Sequence, residues 1–90
     1  MRVVIIYRSK SEHERMVLDF ETEFEHRTGH KIEMVDVDTR DGSAMANLYD
    51  IMQYPAVLAV DQYGSIQQVW RINQSMPLIN EVSYYISSDQ

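Results

Sequence analysis

Residues 49–64 read Y-D-I-M-Q-Y-P-A-V-L-A-V-D-Q-Y-G and decide the fold. The run Ala56 to Val60 is apolar throughout and has the length of a strand, a pattern typical of a strand buried on both faces. Proline has no amide proton, so it is accepted at the first residue of a strand but not in its middle. Pro55 therefore marks the start of this strand, and Asp61 to Gly64 is predicted to turn a hairpin.

The segments before this stretch indicate a central strand followed by a helix. Val3 to Tyr7 is apolar and rich in β-branched residues, so we predict the middle strand of the sheet there. Ser11 and Glu14 have the spacing of a capping box, which predicts the start of a helix that ends at Thr28-Gly29. The apolar positions of this helix recur at three- and four-residue spacing: Met16, Val17, Phe20 and Phe24.

A second strand and helix follow. Lys31 to Asp38 is predicted to be a strand parallel to the first, because a strand, helix and strand in this order favour parallel pairing. Asp41-Gly42-Ser43 is predicted to cap a helix from Ala44 to about Asp50. The inner face of this helix is predicted to comprise Ala44, Leu48 and Ile51.

The last third of the chain is predicted to complete the sheet. Ser65 to Ile72 returns antiparallel as an edge strand, and Pro77 stands at the favoured first position of a final helix that frays over residues 87–90. The order β-α-β-α-β-β-α predicts one α/β domain over residues 1–90, with a four-stranded mixed sheet and helices on both faces. Two helices are expected on one face and one on the other.

The stretch around Pro55 resembles the signature of the thioredoxin superfamily. In that pattern an apolar residue closes a helix, a cis proline opens the third strand and Asp-x-x-Gly turns the hairpin; these positions hold Ile51, Pro55, Asp61 and Gly64. Val35 to Asp38 matches the second strand, and Met76 to Leu78 matches the start of the last helix. The resemblance covers nearly the whole chain and implies a thioredoxin-like fold of the thioredoxin or glutaredoxin type, with Pro55 in cis.

The sequence lacks the residues of dithiol chemistry. It contains no cysteine, so it offers no thiol nucleophile, disulfide or thiolate metal site. The resemblance places the reactive cysteine pair of the family on Ser11 and Glu14, or on Glu12 and Arg15. Dithiol oxidoreductase activity is therefore excluded. We expect a redox-inactive member of the superfamily with no cofactor and, because the histidines lack the spacing of a ligand set, no metal.

Two segments remain as candidate binding sites. Basic and hydroxyl side chains surround the predicted start of the first helix, where free amides favour an anion: Arg8, Ser9, Lys10, Ser11 and Arg15. The second segment is Tyr54-Pro55. The resemblance implies that the backbone just before the cis proline pairs with an extended peptide, an interaction that requires no cysteine. The bulky side chain of Tyr54 could equally cover this edge.

These observations favour a non-catalytic binding or adaptor module with a protein partner. The alternative is an enzyme or sensor that binds glutathione or a phosphorylated ligand at the helix start near Ser11. Tyr7, Ser9 and Ser11 are placed roughly where glutathione transferases carry the hydroxyl that activates glutathione, but the sequence lacks the second helical domain of those enzymes. A homodimer through the edge strand 65–72 is a third hypothesis.

The net charge of -6 disfavours nucleic acid and membrane as partners. No leader or spanning segment is evident, so the expected location is cytoplasmic.

Overall fold

The computed structural model describes residues 1–87 and contains one four-stranded mixed sheet. Its strands are β1 (Arg2–Tyr7), β2 (Glu33–Asp36), β3 (Ala56–Val60) and β4 (Ile66–Arg71), arranged in the order β2-β1-β3-β4. β2 pairs with β1 in parallel, whereas β3 and β4 pair antiparallel with their neighbours. The predicted topology is confirmed, with β1 inside the sheet and β4 at its edge. β2 is shorter than the predicted strand at both ends.

Three helices cover the two faces of the sheet: α1 (Glu14–Thr28), α2 (Arg40–Leu48) and α3 (Ile79–Ser87). Because successive strand residues point to opposite faces, the sheet supplies two separate apolar clusters. Val3, Ile5 and Val57 pack with residues of α1 and α3, while Val4, Ile6 and Leu58 pack with α2. Helices on both faces, two against one, are therefore confirmed. No helix within residues 1–87 is both long and apolar enough to cross a membrane.

Helix α1 has the predicted apolar face and the predicted end. Val17, Phe20 and Phe24 are buried, and the chain leaves the helix at Gly29 with a φ of 76°, a left-handed conformation that glycine adopts easily. The predicted capping box is wrong. The Ser11 hydroxyl donates to the Arg8 carbonyl instead, and the helix begins only at Glu14.

Helix α2 begins earlier than predicted, and its inner face differs. The Thr39 hydroxyl accepts a hydrogen bond from the Gly42 amide at 3.0 Å, so Thr39 is the N-cap and Gly42 lies inside the helix. Gly42 and Ala46 are the buried residues of α2, whereas the predicted inner residue Leu48 is 74% exposed. Ala44 is also exposed, although Ile51 is buried as predicted.

The segment that decides the fold forms the predicted strand and hairpin. All five residues of β3 are buried, and the Tyr54–Pro55 peptide bond before it is cis. The Asp61 carboxylate accepts hydrogen bonds from the amides of Tyr63 and Ser65, each at 2.9 Å, and Gly64 has a φ of 83°. Side-chain capping by Asp61 and the positive φ of Gly64 together turn the chain into β4.

The last helix begins at Ile79, two residues after the predicted start at Pro77. The Leu78 carbonyl accepts from the amides of Glu81 and Val82, at 3.1 and 3.2 Å, so Leu78 opens the hydrogen-bonded turn. α3 extends through Ser87. The expected fraying of residues 88–90 lies outside the described residues.

Candidate functional site

One edge of the sheet gathers the ends of three strands. β1 and β2 are parallel, so their last residues, Tyr7 and Asp36, lie side by side. β3 runs antiparallel to β1, which pairs its first residue Ala56 with Ile6 and places Tyr54-Pro55 at the same edge. We call this region the proline edge, defined by Arg8, Ser9, Asp36, Asp38, Tyr54 and Pro55.

Arg8 connects the two predicted binding segments. Its guanidinium carbon lies 5.6 Å from the centre of the Tyr54 ring, within the range of a cation–π contact. Its Nε is 3.2 Å from Asp38 Oδ1, in an ion pair whose side chains are both about half exposed. The side chain of Arg8 therefore covers Tyr54 while it remains in contact with solvent.

Both the amide and the carbonyl of Arg8 are hydrogen-bonded to side chains of the loop. Its amide donates to His13 Nε2 at 3.1 Å, and its carbonyl accepts from the Ser11 hydroxyl. Burial and the positive charge of Arg8 lower the pKa of His13, against a smaller opposing effect of Glu14. The lowered pKa favours the neutral imidazole, whose lone pair accepts the hydrogen bond from the Arg8 amide.

Asp36 holds the other side of the loop. Its carboxylate accepts from the Ser9 hydroxyl, the Asp38 amide at 2.9 Å and the Ser9 amide at 3.4 Å. The Ser9 hydroxyl is the largest of the effects that lower the pKa of Asp36. The ionised carboxylate therefore fixes the turn after β1 to the end of β2.

The hydroxyl groups required by the small-molecule alternative are already engaged or unsuited. The hydroxyls of Ser9 and Ser11 already donate hydrogen bonds within the chain, to the Asp36 carboxylate and the Arg8 carbonyl respectively. Burial raises the pKa of Tyr7, and the charges of Asp36 and Glu14 raise it further. A phenol with a raised pKa holds its proton, so Tyr7 is a poor activator of a thiol.

The basic residues do not converge on one point. Arg15 Nε is 3.4 Å from Asp19 Oδ1 along α1, and the Arg15 side chain is 88% exposed. Lys10 is exposed and has a positive φ of 59° in the loop. Because Arg8 and Arg15 each face a carboxylate, the charge available to an anion at the start of α1 is smaller than the sequence suggests.

The backbone of Tyr54 makes no hydrogen bond within residues 1–87, although its side chain is packed. Its ring packs against the apolar cluster under α2, and its hydroxyl donates to the Ile51 carbonyl at 3.4 Å. The Pro55 carbonyl accepts from the Ile72 amide at 3.4 Å. In contrast, neither the amide nor the carbonyl of Tyr54 has a hydrogen-bond partner within residues 1–87. The proline edge therefore offers one donor and one acceptor to an incoming strand.

Comparisons with known proteins identify the architecture. No protein-family model matches the sequence, and no curated protein matches it. The solved structure of thioredoxin 1 from the thermophilic eubacterium Thermosipho africanus has a TM-score of 0.68, covering 98% of this chain and 92% of that chain at 18% identity. The chain has a thioredoxin-like fold. A structure described as a malarial protein has a TM-score of 0.64 and 13% identity, with 96% and 92% of the two chains covered.

At these identities the likeness is one of fold, and it confirms the resemblance deduced around Pro55. This thioredoxin-like chain carries the proline edge without any cysteine. Within residues 1–87 no group of three or more histidine, aspartate or glutamate side chains is placed to hold a metal ion.

Sequence reasoning missed two residues of the proline edge, Asp36 and Asp38, and one residue that holds it from outside, His13. The signal for the two aspartates was present, because both lie at the end of the strand predicted over Lys31 to Asp38, and strands parallel to each other end at the same edge of the sheet. His13 gave no such signal. Its contact with Arg8 depends on the path of the loop between β1 and α1.

Proposed function

We propose that this thioredoxin-like chain is a non-catalytic binding module that holds an extended peptide segment of a protein partner along the backbone of Tyr54. The amide and carbonyl of Tyr54, which have no hydrogen-bond partner among residues 1–87, carry the proposal. An extended peptide can satisfy both groups with its own backbone, and main-chain pairing of this kind requires no reactive side chain. The absence of cysteine is compatible with such a role.

Arg8 is the cover that a bound peptide displaces. An exposed cation–π contact contributes roughly 0.5–1 kcal/mol, and an exposed ion pair contributes about 0.2–1 kcal/mol. Micromolar binding supplies about 8 kcal/mol. Moving Arg8 away from Tyr54 and Asp38 is therefore a small cost compared with the free energy of peptide binding.

The contacts at the start of α1 argue against the small-molecule alternative. A glutathione or phosphate group there must compete with the existing hydrogen bonds of Ser9 and Ser11 and with the ion pairs of Arg8 and Arg15. A homodimer through residues 65–72 also meets an obstacle. The Gln68 side chain accepts from the Val69 amide at 2.9 Å, which occupies one donor of the edge strand.

Selection of peptides from a random display library against the immobilised protein tests the proposal. We expect the selected peptides to lose binding when the one backbone amide that donates to the Tyr54 carbonyl is N-methylated, while N-methylation of the amides on either side has little effect. Sensitivity at one amide and tolerance at its neighbours is the pattern expected of main-chain pairing with Tyr54. Uniform tolerance of N-methylation, or a selection that enriches no sequence, contradicts the proposal.

A further inference from the structure

A second surface lies on the opposite face of the sheet, where β4 meets α3. The rings of Trp70 and Tyr85 are nearly perpendicular with centroids 5.4 Å apart, and the rings of Tyr84 and Tyr85 are perpendicular at 5.3 Å. Together with Gln68 and Glu81 they line a cleft of about 260 Å³, which we call the aromatic cleft. Trp70 packs against the cluster under α1 and α3, whereas Tyr54 packs against the cluster under α2.

Gln68 links the two elements that form the aromatic cleft. Its Nε2 donates to the Tyr85 hydroxyl at 3.2 Å, and its Oε1 accepts from the Val69 amide at 2.9 Å. Both ends of the amide are thus engaged, one with α3 and one with β4. A surface fixed in this way loses little conformational entropy when a ligand binds.

Two aromatic side chains of the cleft keep unused hydrogen-bond donors. Neither the indole N–H of Trp70 nor the Tyr84 hydroxyl bonds to a group within residues 1–87. Every buried side-chain nitrogen or oxygen within residues 1–87 has a hydrogen-bond partner. Because the indole N–H of Trp70 has none there, it must be accessible to solvent. Tyr84 is 64% exposed. The cleft therefore combines aromatic faces with two donors that have no acceptor in the described part of the chain.

These features match the chemistry of a polyproline II helix. Such a helix has no internal hydrogen bonds, so its carbonyls are free to accept, and its stiff apolar rings pack against aromatic side chains. The charge at the cleft adds a second requirement. Among the lining residues in the described part of the chain, Glu81 is the charged one and none is basic. A ligand with a basic residue beside its prolines is thus complementary.

We infer that the aromatic cleft binds a proline-rich segment in the polyproline II conformation, with a lysine or arginine next to the prolines. This site is separate from the proline edge, and its test does not depend on peptide binding at Tyr54. The cleft would recognise three features of the partner: its proline rings, its free backbone carbonyls and one positive charge.

The fluorescence of Trp70 reports on the cleft, because the chain contains 1 tryptophan. The probe is an oligoproline peptide with an N-terminal arginine, compared with a glycine-serine peptide of the same length and charge. We expect a saturable change with oligoproline alone. Tyr84→Phe keeps the ring and removes the donor, so it should weaken binding about fivefold. Tyr63→Phe, at an 83% exposed tyrosine in the hairpin turn, is the matched control and should leave the affinity unchanged.

Glu81→Gln should weaken binding of the arginine-bearing peptide and leave that of uncharged oligoproline unchanged. Three results would overturn the inference. Equal responses to oligoproline and glycine-serine exclude recognition of proline. A saturable response to a soluble glucan oligosaccharide, without one to oligoproline, assigns the cleft to sugars. A fluorescence change that follows protein concentration alone assigns it to a second copy of the chain.

Discussion

The guanidinium of Arg8 lies over the ring of Tyr54, with 5.6 Å between the guanidinium carbon and the ring centre. This contact joins the loop after β1 to the residue before Pro55, and the ion pair with Asp38 adds the end of β2. The same Tyr54 has a backbone amide and carbonyl without partners in the described part of the chain. The side chain that covers Tyr54 thus lies beside the backbone available for binding.

Replacing Arg8 with alanine should open the proline edge. We expect the affinity for a library-selected peptide to rise about three- to tenfold, because the contacts that the peptide must displace are worth roughly 1 kcal/mol together. The free energy of unfolding should fall by about 1 kcal/mol or less. Binding is measured by isothermal titration calorimetry, and stability by urea unfolding.

The control for Arg8→Ala is Arg15→Ala, which removes the same charge from an exposed pair on α1. Its affinity for the peptide should equal that of the wild type. A loss of affinity in Arg8→Ala alone would mean that Arg8 contacts the peptide directly, and the role of Arg8 as a cover would be wrong.

Replacing Gly42 with alanine should destabilise the protein, although alanine is the better helix former by about 1 kcal/mol. A Cβ built on Gly42 overlaps the Asp36 carbonyl oxygen and lies 2.9 Å from the Thr39 hydroxyl, so α2 must shift. We expect a loss of about 1–3 kcal/mol in the free energy of unfolding, as for other overpacked sites. The exposed neighbour gives the matched control, Ser43→Ala, with a change within about 0.5 kcal/mol. A stabilised Gly42→Ala variant would contradict the close packing.

The Gly42 contact also explains why the sequence predicted one part of the fold and not another. The strands β1 and β3 are continuous apolar runs, and Pro55, Asp61 and Gly64 mark the boundaries of the hairpin locally, so these elements were predictable. The start of α2 was not, because both Thr39 and Asp41 are good N-cap residues. The choice depends on the fit of Gly42 against Asp36, a contact between elements that periodicity does not encode.

The candidate site was predictable as a set of residues but not as a set of contacts. Arg8 and Tyr54 were predicted as members of two candidate segments, and their contact was not predicted. That Arg8 pairs with Asp38 while Arg15 pairs with Asp19 depends on side-chain conformations in the folded protein. The same holds for the hydrogen bonds of Ser9 and Ser11, which reduced the case for a small-molecule ligand.

The Ser9–Asp36 hydrogen bond should affect the pKa of Asp36 and the folding stability in acid. The pKa of Asp36 lies below its ordinary value of 3.8, and the Ser9 hydroxyl is the largest cause. The contribution of the ionised Asp36 to folding stability is therefore fully present above pH 3.8. It is lost as the pH falls through the lowered pKa of the folded state. Ser9→Ala should raise the pKa of Asp36 toward 3.8, measured from the carboxyl carbon shift. Its stability deficit relative to the wild type should shrink in acid.

The control for Ser9→Ala is Ser83→Ala, which removes a hydroxyl that donates to the Asn80 carbonyl on α3. The pKa of Asp36 should be the same in this variant and in the wild type. If Ser9→Ala also left it unchanged, Ser9 would not be the main cause of the shift.

His13 should make the fold sensitive to mild acid. Its pKa is lowered in the folded state, so between that value and the ordinary 6.5 the unfolded chain binds the extra proton, and stability falls as the pH drops below 6.5. His13→Gln keeps a hydrogen-bond acceptor and removes the titration. We expect this variant to lose the slope in that range, whereas His26→Gln, at an exposed position on α1, should keep it. A slope that persists in His13→Gln would refute the assignment.

Amide hydrogen exchange at Tyr54, with and without a library-selected peptide, tests the central claim most directly. In the free protein the Tyr54 amide has no hydrogen-bond partner among residues 1–87 and should exchange rapidly. In the complex it should become protected, with chemical-shift changes at Arg8 to Ser11 and Tyr54 to Ala56. A Tyr54 amide that stays unprotected at saturating peptide would contradict the account. Shifts confined to Ser11 through Arg15 on addition of glutathione or phosphate would support the small-molecule alternative instead.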